Sequence, residues 1–204
     1  NNTFVHCGTV YEGTLEVGNI VRCQVDESSR KRAQANHTAT HLLQSALKKV
    51  VDPSISQAGS LVGFDRLRFD FHSPRPLSSD ELQKIETLVN SWITQGYSLK
   101  VQEMKIEDAK AAGALAMFGE KYGDIVRVIN VPGVSIELCG GTHVSNTAEI
   151  GLFKIVSETG IAAGIRRIEA ISGPCVLDYL NDRDSVVKDL SKRFKIQSHE
   201  IVDR

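Results

Sequence analysis

His37 and His41 stand one helical turn apart in the run Asn36-His37-Thr38-Ala39-Thr40-His41-Leu42-Leu43. On a helix this i, i+4 spacing stacks two imidazoles on one face, where both can reach a single ion. Histidines so placed also serve as surface or half-buried polar residues, and the pair alone assigns nothing. A second run, Cys139-Gly140-Gly141-Thr142-His143, offers a thiolate and a third imidazole in a turn whose glycines admit backbone angles closed to other residues. Together the runs supply four nitrogen and sulfur ligands in two compact pairs. That set suits one tetrahedral zinc ion per chain and does not suit magnesium or calcium.

What the motifs lack narrows the chemistry. Thr38 occupies the position at which His-Glu-x-x-His peptidases place their general base, so peptide hydrolysis by that route has no base. No Gly-x-Ser-x-Gly elbow, phosphate-binding Gly-x4-Gly-Lys-Ser/Thr loop or Gly-x-Gly-x-x-Gly fingerprint occurs.

The elements that must position these residues follow from the apolar pattern. Ala39, Leu42, Leu43, Ala46, Leu47 and Val50 form one stripe of a helix capped by Asn36 and stopped by Asp52-Pro53, with His37, His41, Gln44 and Lys48 on another face. Residues 54–62 and 66–72 predict a hairpin turning at Gly63-Phe64-Asp65, with Leu67, Phe69 and Phe71 facing the core. Ser78-Ser79-Asp80-Glu81 is a capping box that opens a helix ending at Gly96. Further along, 97–106 read as a strand, 107–118 as a helix interrupted by Gly113, and 125–129 and 134–138 as strands, the last delivering Cys139. A second hairpin spans 152–158 and 165–171, and an amphipathic helix starts at Pro174. Between Thr3 and Asp26, short apolar runs broken by Gly8, Gly13 and Gly18-Asn19 predict strands of a small barrel or sheet fragment, with Cys7 and Cys23 as buried free thiols in preference to a pair.

Composition sets outer bounds. The chain has 204 residues, 41% hydrophobic and 24% charged, with a formal charge of -1, so nucleic-acid contact must come from local basic patches. No apolar run approaches the roughly 18 residues that span a bilayer, and no membrane partner is expected. Four cysteines are too few for a disulfide framework and predict a reducing compartment. A start at Asn1-Asn2-Thr3 without Met is expected of an excised or processed piece of a longer protein.

Five runs carry a resemblance. They are residues 36–43; Ser56-Gln57-Ala58-Gly59-Ser60-Leu61; Leu67-Arg68-Phe69-Asp70-Phe71; Cys139-Gly140-Gly141-Thr142-His143; and Gly164-Ile165-Arg166-Arg167-Ile168-Glu169-Ala170. In this order they resemble the editing domain of alanyl-tRNA synthetases, which is shared with free-standing alanyl editing proteins and, more distantly, with threonyl-tRNA synthetases. The resemblance covers about Arg30 to Gly173. It implies an α+β fold in three parts: a β-barrel segment at 1–29, an antiparallel-sheet editing domain with zinc at 30–173, and a C-terminal helix at 174–204 leading to an oligomerisation region. It further implies hydrolysis of serine or glycine from wrongly charged alanine tRNA, with zinc on His37, His41, Cys139 and His143. By the same resemblance Thr40 meets the serine hydroxyl and Gln57 lines the substrate site. Arg30, Arg32, Arg68, Arg166 and Arg167, with Lys31 and Arg66 beside them, are candidates for the tRNA acceptor end. The parent enzyme would attach alanine to its tRNA with ATP through a domain absent here, in the cytoplasm or an organelle matrix. A free-standing editing protein and a non-catalytic tRNA-binding module held by zinc remain as alternatives.

Overall fold

The computed structural model describes residues 5–115 and 122–203. Helix α1 runs from Glu27 to Val50, and its start is set by Asp26, whose carboxylate accepts a 2.7 Å hydrogen bond from the Ser29 N–H. The helix therefore begins well ahead of the expected cap. Asn36 is instead buried in mid-helix, where its amide donates to the Gly63 carbonyl at 3.0 Å and its Oδ1 accepts from the Ser172 hydroxyl at 2.7 Å. Those partners tie α1 to two other elements and leave Asn36 nothing with which to cap.

Strands β1 (Gln57–Val62) and β2 (Leu67–His72) follow, then α2 (Ser79–Gln95), β3 (Lys100–Lys105), a short α3 (Ile106–Ala111), β4 (Ile125–Val131), β5 (Ser135–Leu138), β6 (Phe153–Ala162), β7 (Ile165–Ser172) and α4 (Pro174–Phe194). The fold is α+β, with two antiparallel sheets ordered β1-β2-β7-β6 and β3-β4-β5. Helix α2 begins at the expected capping box of Ser78 and Glu81 and ends at Gly96, whose φ of 67° is the left-handed conformation that glycine adopts freely. The β6–β7 hairpin is longer than its apolar pattern, because the ladder continues to Ala162 opposite Ile165.

Helix α1 lies across the four-stranded sheet. Leu42, Leu43 and Leu47 are fully buried in one cluster with Phe69 and Phe71 of β2, Ile168 of β7, and Ile85 and Val89 of α2. Each such side chain contributes about 1.5–3 kcal/mol of burial, so this contact fixes the rotation of α1 and with it the direction of its histidines. A smaller cluster of Ala109, Val126, Val128 and Leu138 seats β4 and β5, whose end delivers the cysteine run.

Two expectations fail. Among the described residues before Asp26 no strand forms and no barrel closes; Val10, Leu15, Val17, Ile20 and Val25 are exposed, as are Cys7 and Cys23. A strand needs a partner ladder, and neither sheet extends one to this segment. The helix expected over 107–118 ends at Ala111, where Gly113 at φ 81° turns the chain so that Leu115 bridges Glu137; positions 116–118 lie outside the described residues.

Candidate metal centre

Helix α1 and the turn after β5 bring His37, His41, Cys139 and His143 together, with their ligand atoms all within 4.8 Å of one another. The Cys139 Sγ is 3.5 Å from His37 Nε2 and 3.3 Å from His143 Nε2. A tetrahedral zinc with ordinary Zn–N and Zn–S lengths places its ligand atoms about 3.4–3.6 Å apart, so the four side chains fit a metal of that kind. Burial lowers the pKa of all three histidines, to about 3 for His41 and about 2 for His143, where the charge of neighbouring imidazoles adds to the effect. The rings are thus neutral at pH 7, the form that ligates.

Neighbours stand behind the three imidazoles. The Thr38 hydroxyl donates to the Gln34 carbonyl at 3.0 Å, and its oxygen accepts from the Val144 N–H at 3.2 Å and lies 3.1 Å from His143 Nδ1. With the hydroxyl proton already committed, His143 Nδ1–H is the donor and Nε2 is left to ligate. His41 turns Nδ1 toward Glu137, whose Oε2 is 3.4 Å away; both residues are buried, and burial pushes the Glu137 carboxyl up to about 7. His37 bonds the backbone of Thr142, and Gly141 packs against its ring so closely that a Cβ there would fall 2.0 Å from His37 Cε1.

The cluster opens into a cavity of about 380 Å³ whose walls include Thr40, Gln57, Ser60 and Glu137. Gln57 and Ser60 are an odd number of residues apart and would point to opposite faces of a regular strand. A bulge at Ala58, where Gln57 pairs with Phe71 but Gly59 with Asp70, restores them to one side, and the Gln57 amide donates to Ser60 Oγ at 3.3 Å. Thr40 donates its hydroxyl to the Asn36 carbonyl at 2.9 Å. A larger cavity, about 560 Å³, lies between the first turns of α1 and α4, where Glu27 pairs with Lys31 at 2.7 Å.

The sequence-derived basic residues are spread over α1, β2 and β7. Arg166 is paired through two bonds with Glu158, and Arg167 likewise with Asp70, which Arg68 approaches at 3.5 Å. Arg32 lies over the Phe64 ring, and Arg30 is exposed. Thr38, Ser60, Arg127 and Glu137 were not legible as site residues. Glu137 had one signal: alternate strand positions share a face, so the residue two before a strand-end ligand is a candidate neighbour.

Four side chains that could hold a metal thus sit between a helix and an antiparallel sheet, at the foot of a cavity. Residues 126–169, which hold Cys139 and His143, match the threonyl and alanyl tRNA synthetase second additional domain. Along its whole length the chain is 68% identical over 203 residues to the alanine--tRNA ligase of Synechococcus sp. (strain CC9605) and 68% identical over 203 residues to that of Parasynechococcus marenigrum (strain WH8102). The alanine--tRNA ligase of Prochlorococcus marinus (strain MIT 9211) is 67% identical over 204 residues. The alignments take in 100% of this chain and 23% of each ligase, so the chain spans about a quarter of the length of these relatives. End to end, it is similar to a part of these alanine--tRNA ligases. Among the described residues no helix is long and apolar enough to cross a membrane.

Proposed function

We propose that this chain is the proofreading part of an alanine--tRNA ligase and hydrolyses the ester that joins serine or glycine to alanine tRNA. The observation that carries the reading is the convergence of His37, His41, Cys139 and His143 at the foot of a cavity walled by Thr40 and Gln57. The need for such a site is physical: a pocket shaped for alanine excludes neither the smaller glycine nor serine, which merely adds a hydroxyl. The donor set suits zinc, which when bound would supply Lewis-acid chemistry to the substrate's amino-acid end by taking it as a fifth ligand.

The chain's own groups supply selection. Because the Thr40 hydroxyl donates its hydrogen bond to the Asn36 carbonyl, its oxygen is left to accept, and the substrate must donate. A serine hydroxyl does so, and the methyl of alanine does not. Gln57 is held on the cavity side by the bulge, where its amide can orient a water or the ester. The acceptor-end phosphates fall to Arg30, Arg32, Arg68, Arg166 and Arg167. Arg166 and Arg167 reach phosphate only by giving up carboxylate partners, so Arg30 and Arg32 carry that part first.

One observation favours a purely structural metal: four protein ligands complete a tetrahedral shell, as in sites that only hold a fold. One experiment separates the readings. Zinc-loaded chain is mixed with alanine tRNA charged with serine, glycine or alanine, and ester loss is followed. Release of serine and glycine ahead of alanine is expected. Zinc bound with no ester cleaved would leave the structural role standing in its place.

A further inference from the structure

We infer that Arg127 is the positioning residue of the metal centre, acting through the Cys139-Gly140-Gly141 turn. Arg127 lies on β4 just beyond the pair Val128–Leu138, directly opposite Cys139. Its backbone carbonyl accepts from the Cys139 N–H at 3.0 Å, which carries the ladder one step past the end of β5. Its side chain then returns over the turn, where Nη1 donates to the Cys139 carbonyl at 2.9 Å and to the Gly141 carbonyl at 2.6 Å. One guanidinium nitrogen thus bridges the residue that supplies the thiolate and the residue against which His37 packs.

The turn needs such a tie. Two adjacent glycines lose more backbone freedom on ordering than any other pair. Gly141 cannot be replaced by a stiffer residue, because a Cβ there would enter the His37 ring. Within the turn the Gly141 N–H also meets Cys139 Sγ at 3.4 Å, a weak contact to sulfur. Bonds to a charged donor are worth roughly twice neutral ones, so Arg127 is the stronger restraint. It holds Sγ and His143 at the spacing the α1 histidines require before any ion arrives.

The inference rests on reading the cluster as a metal site, and two measurements keep the two ideas separable. Zinc affinity, by chelator competition, and the cobalt(II) absorption spectrum are compared for the wild-type chain, Arg127→Met and Arg127→Lys. Met is expected to weaken zinc about 10- to 100-fold, the usual cost of losing a group behind the ligands. Lys keeps the charge but ends one bond short of the two carbonyls, so it is expected to recover only part of the loss. Amide exchange of residues 139–143 is followed in chelator-treated protein, where faster exchange in Arg127→Met is expected. Wild-type chain that binds neither metal defeats the metal reading, while the exchange data still test the clamp. Unchanged affinity and unchanged exchange in Arg127→Met overturn the inference. Full rescue by Lys also overturns it, because charge alone would then suffice. If the Met variant fails to fold, the Lys variant carries the comparison.

Discussion

The Glu137 carboxylate stands 3.4 Å from Nδ1 of His41, with both groups buried between α1 and β5. The contact falls short of a hydrogen bond and leaves Nδ1 of His41 buried without a partner among the described residues; this is the place from which a carboxylate would orient a ligating imidazole. Burial acts on Glu137 itself, raising its carboxyl from 4.5 to about 7. A carboxyl raised on folding makes the folded chain hold a proton that the unfolded chain releases, so stability falls as pH rises from 4.5 through 7. Glu137→Gln keeps the shape and removes this cost. The metal-free variant is expected to be more stable than wild type at pH 8 and nearly equal to it at pH 4.5, while binding zinc about 10- to 100-fold more weakly. Denaturant titrations at the two pH values, with chelator competition, check both signs.

The histidines impose the opposite trend on the metal-free chain. His41 and His143 are lowered from 6.5 to about 3 and about 2, chiefly by burial. Their contribution is fully present above pH 6.5 and is lost as pH falls toward 3, because only the unfolded chain takes up the protons. Each such proton costs about 1.4 kcal/mol per pH unit over that window. Chelator-treated protein should therefore lose stability between pH 6.5 and 4, and zinc should flatten the loss until acid displaces it. A flat profile without zinc would show that the imidazoles are solvated.

Gly141→Ala tests the close approach of turn and helix. The added Cβ meets His37 Cε1 at 2.0 Å, far inside contact, so either the ring or the turn must move. Metal binding is expected to fall at least tenfold with little change in helix content, because His37 is only half-buried and α1 is held by its core face. Circular dichroism with metal competition reads the two effects apart.

The four clustered side chains and the principal elements were legible because they depend on local pattern: an i, i+4 pair on a helix, a strand ending in Cys-Gly-Gly, a capping box at Ser78. What escaped depends on tertiary contact. Asn36 has the composition of a cap, but its side chain is taken by Gly63 and Ser172, each remote in sequence. Glu137 looked like an ordinary strand residue until α1 was laid over it, and the Ala58 bulge that turns Gln57 and Ser60 to one side leaves no trace in residue type. The N-terminal segment failed for the converse reason: its alternation is that of a strand, but a strand exists only where a neighbour pairs with it.

The last prediction concerns Thr40, which directly precedes His41 on α1 and lies on the wall of the cavity. Its hydroxyl donates to the Asn36 carbonyl, the bond that a purely helical role would make, yet the oxygen keeps its capacity to accept. Thr40→Val removes that acceptor at nearly constant volume, and the Asn36 carbonyl lies within a helix that can satisfy it. Folding should therefore change little. Loss of one buried hydrogen bond to substrate corresponds to about 1–2.3 kcal/mol, so hydrolysis of serine-charged alanine tRNA is expected to fall roughly five- to fiftyfold in kcat/KM. Glycine-charged tRNA offers no hydroxyl and should be cleaved at close to the original rate. Parallel losses on both substrates would instead mean that Thr40 supports the helix or a water, and the ratio of the two rates decides between these roles.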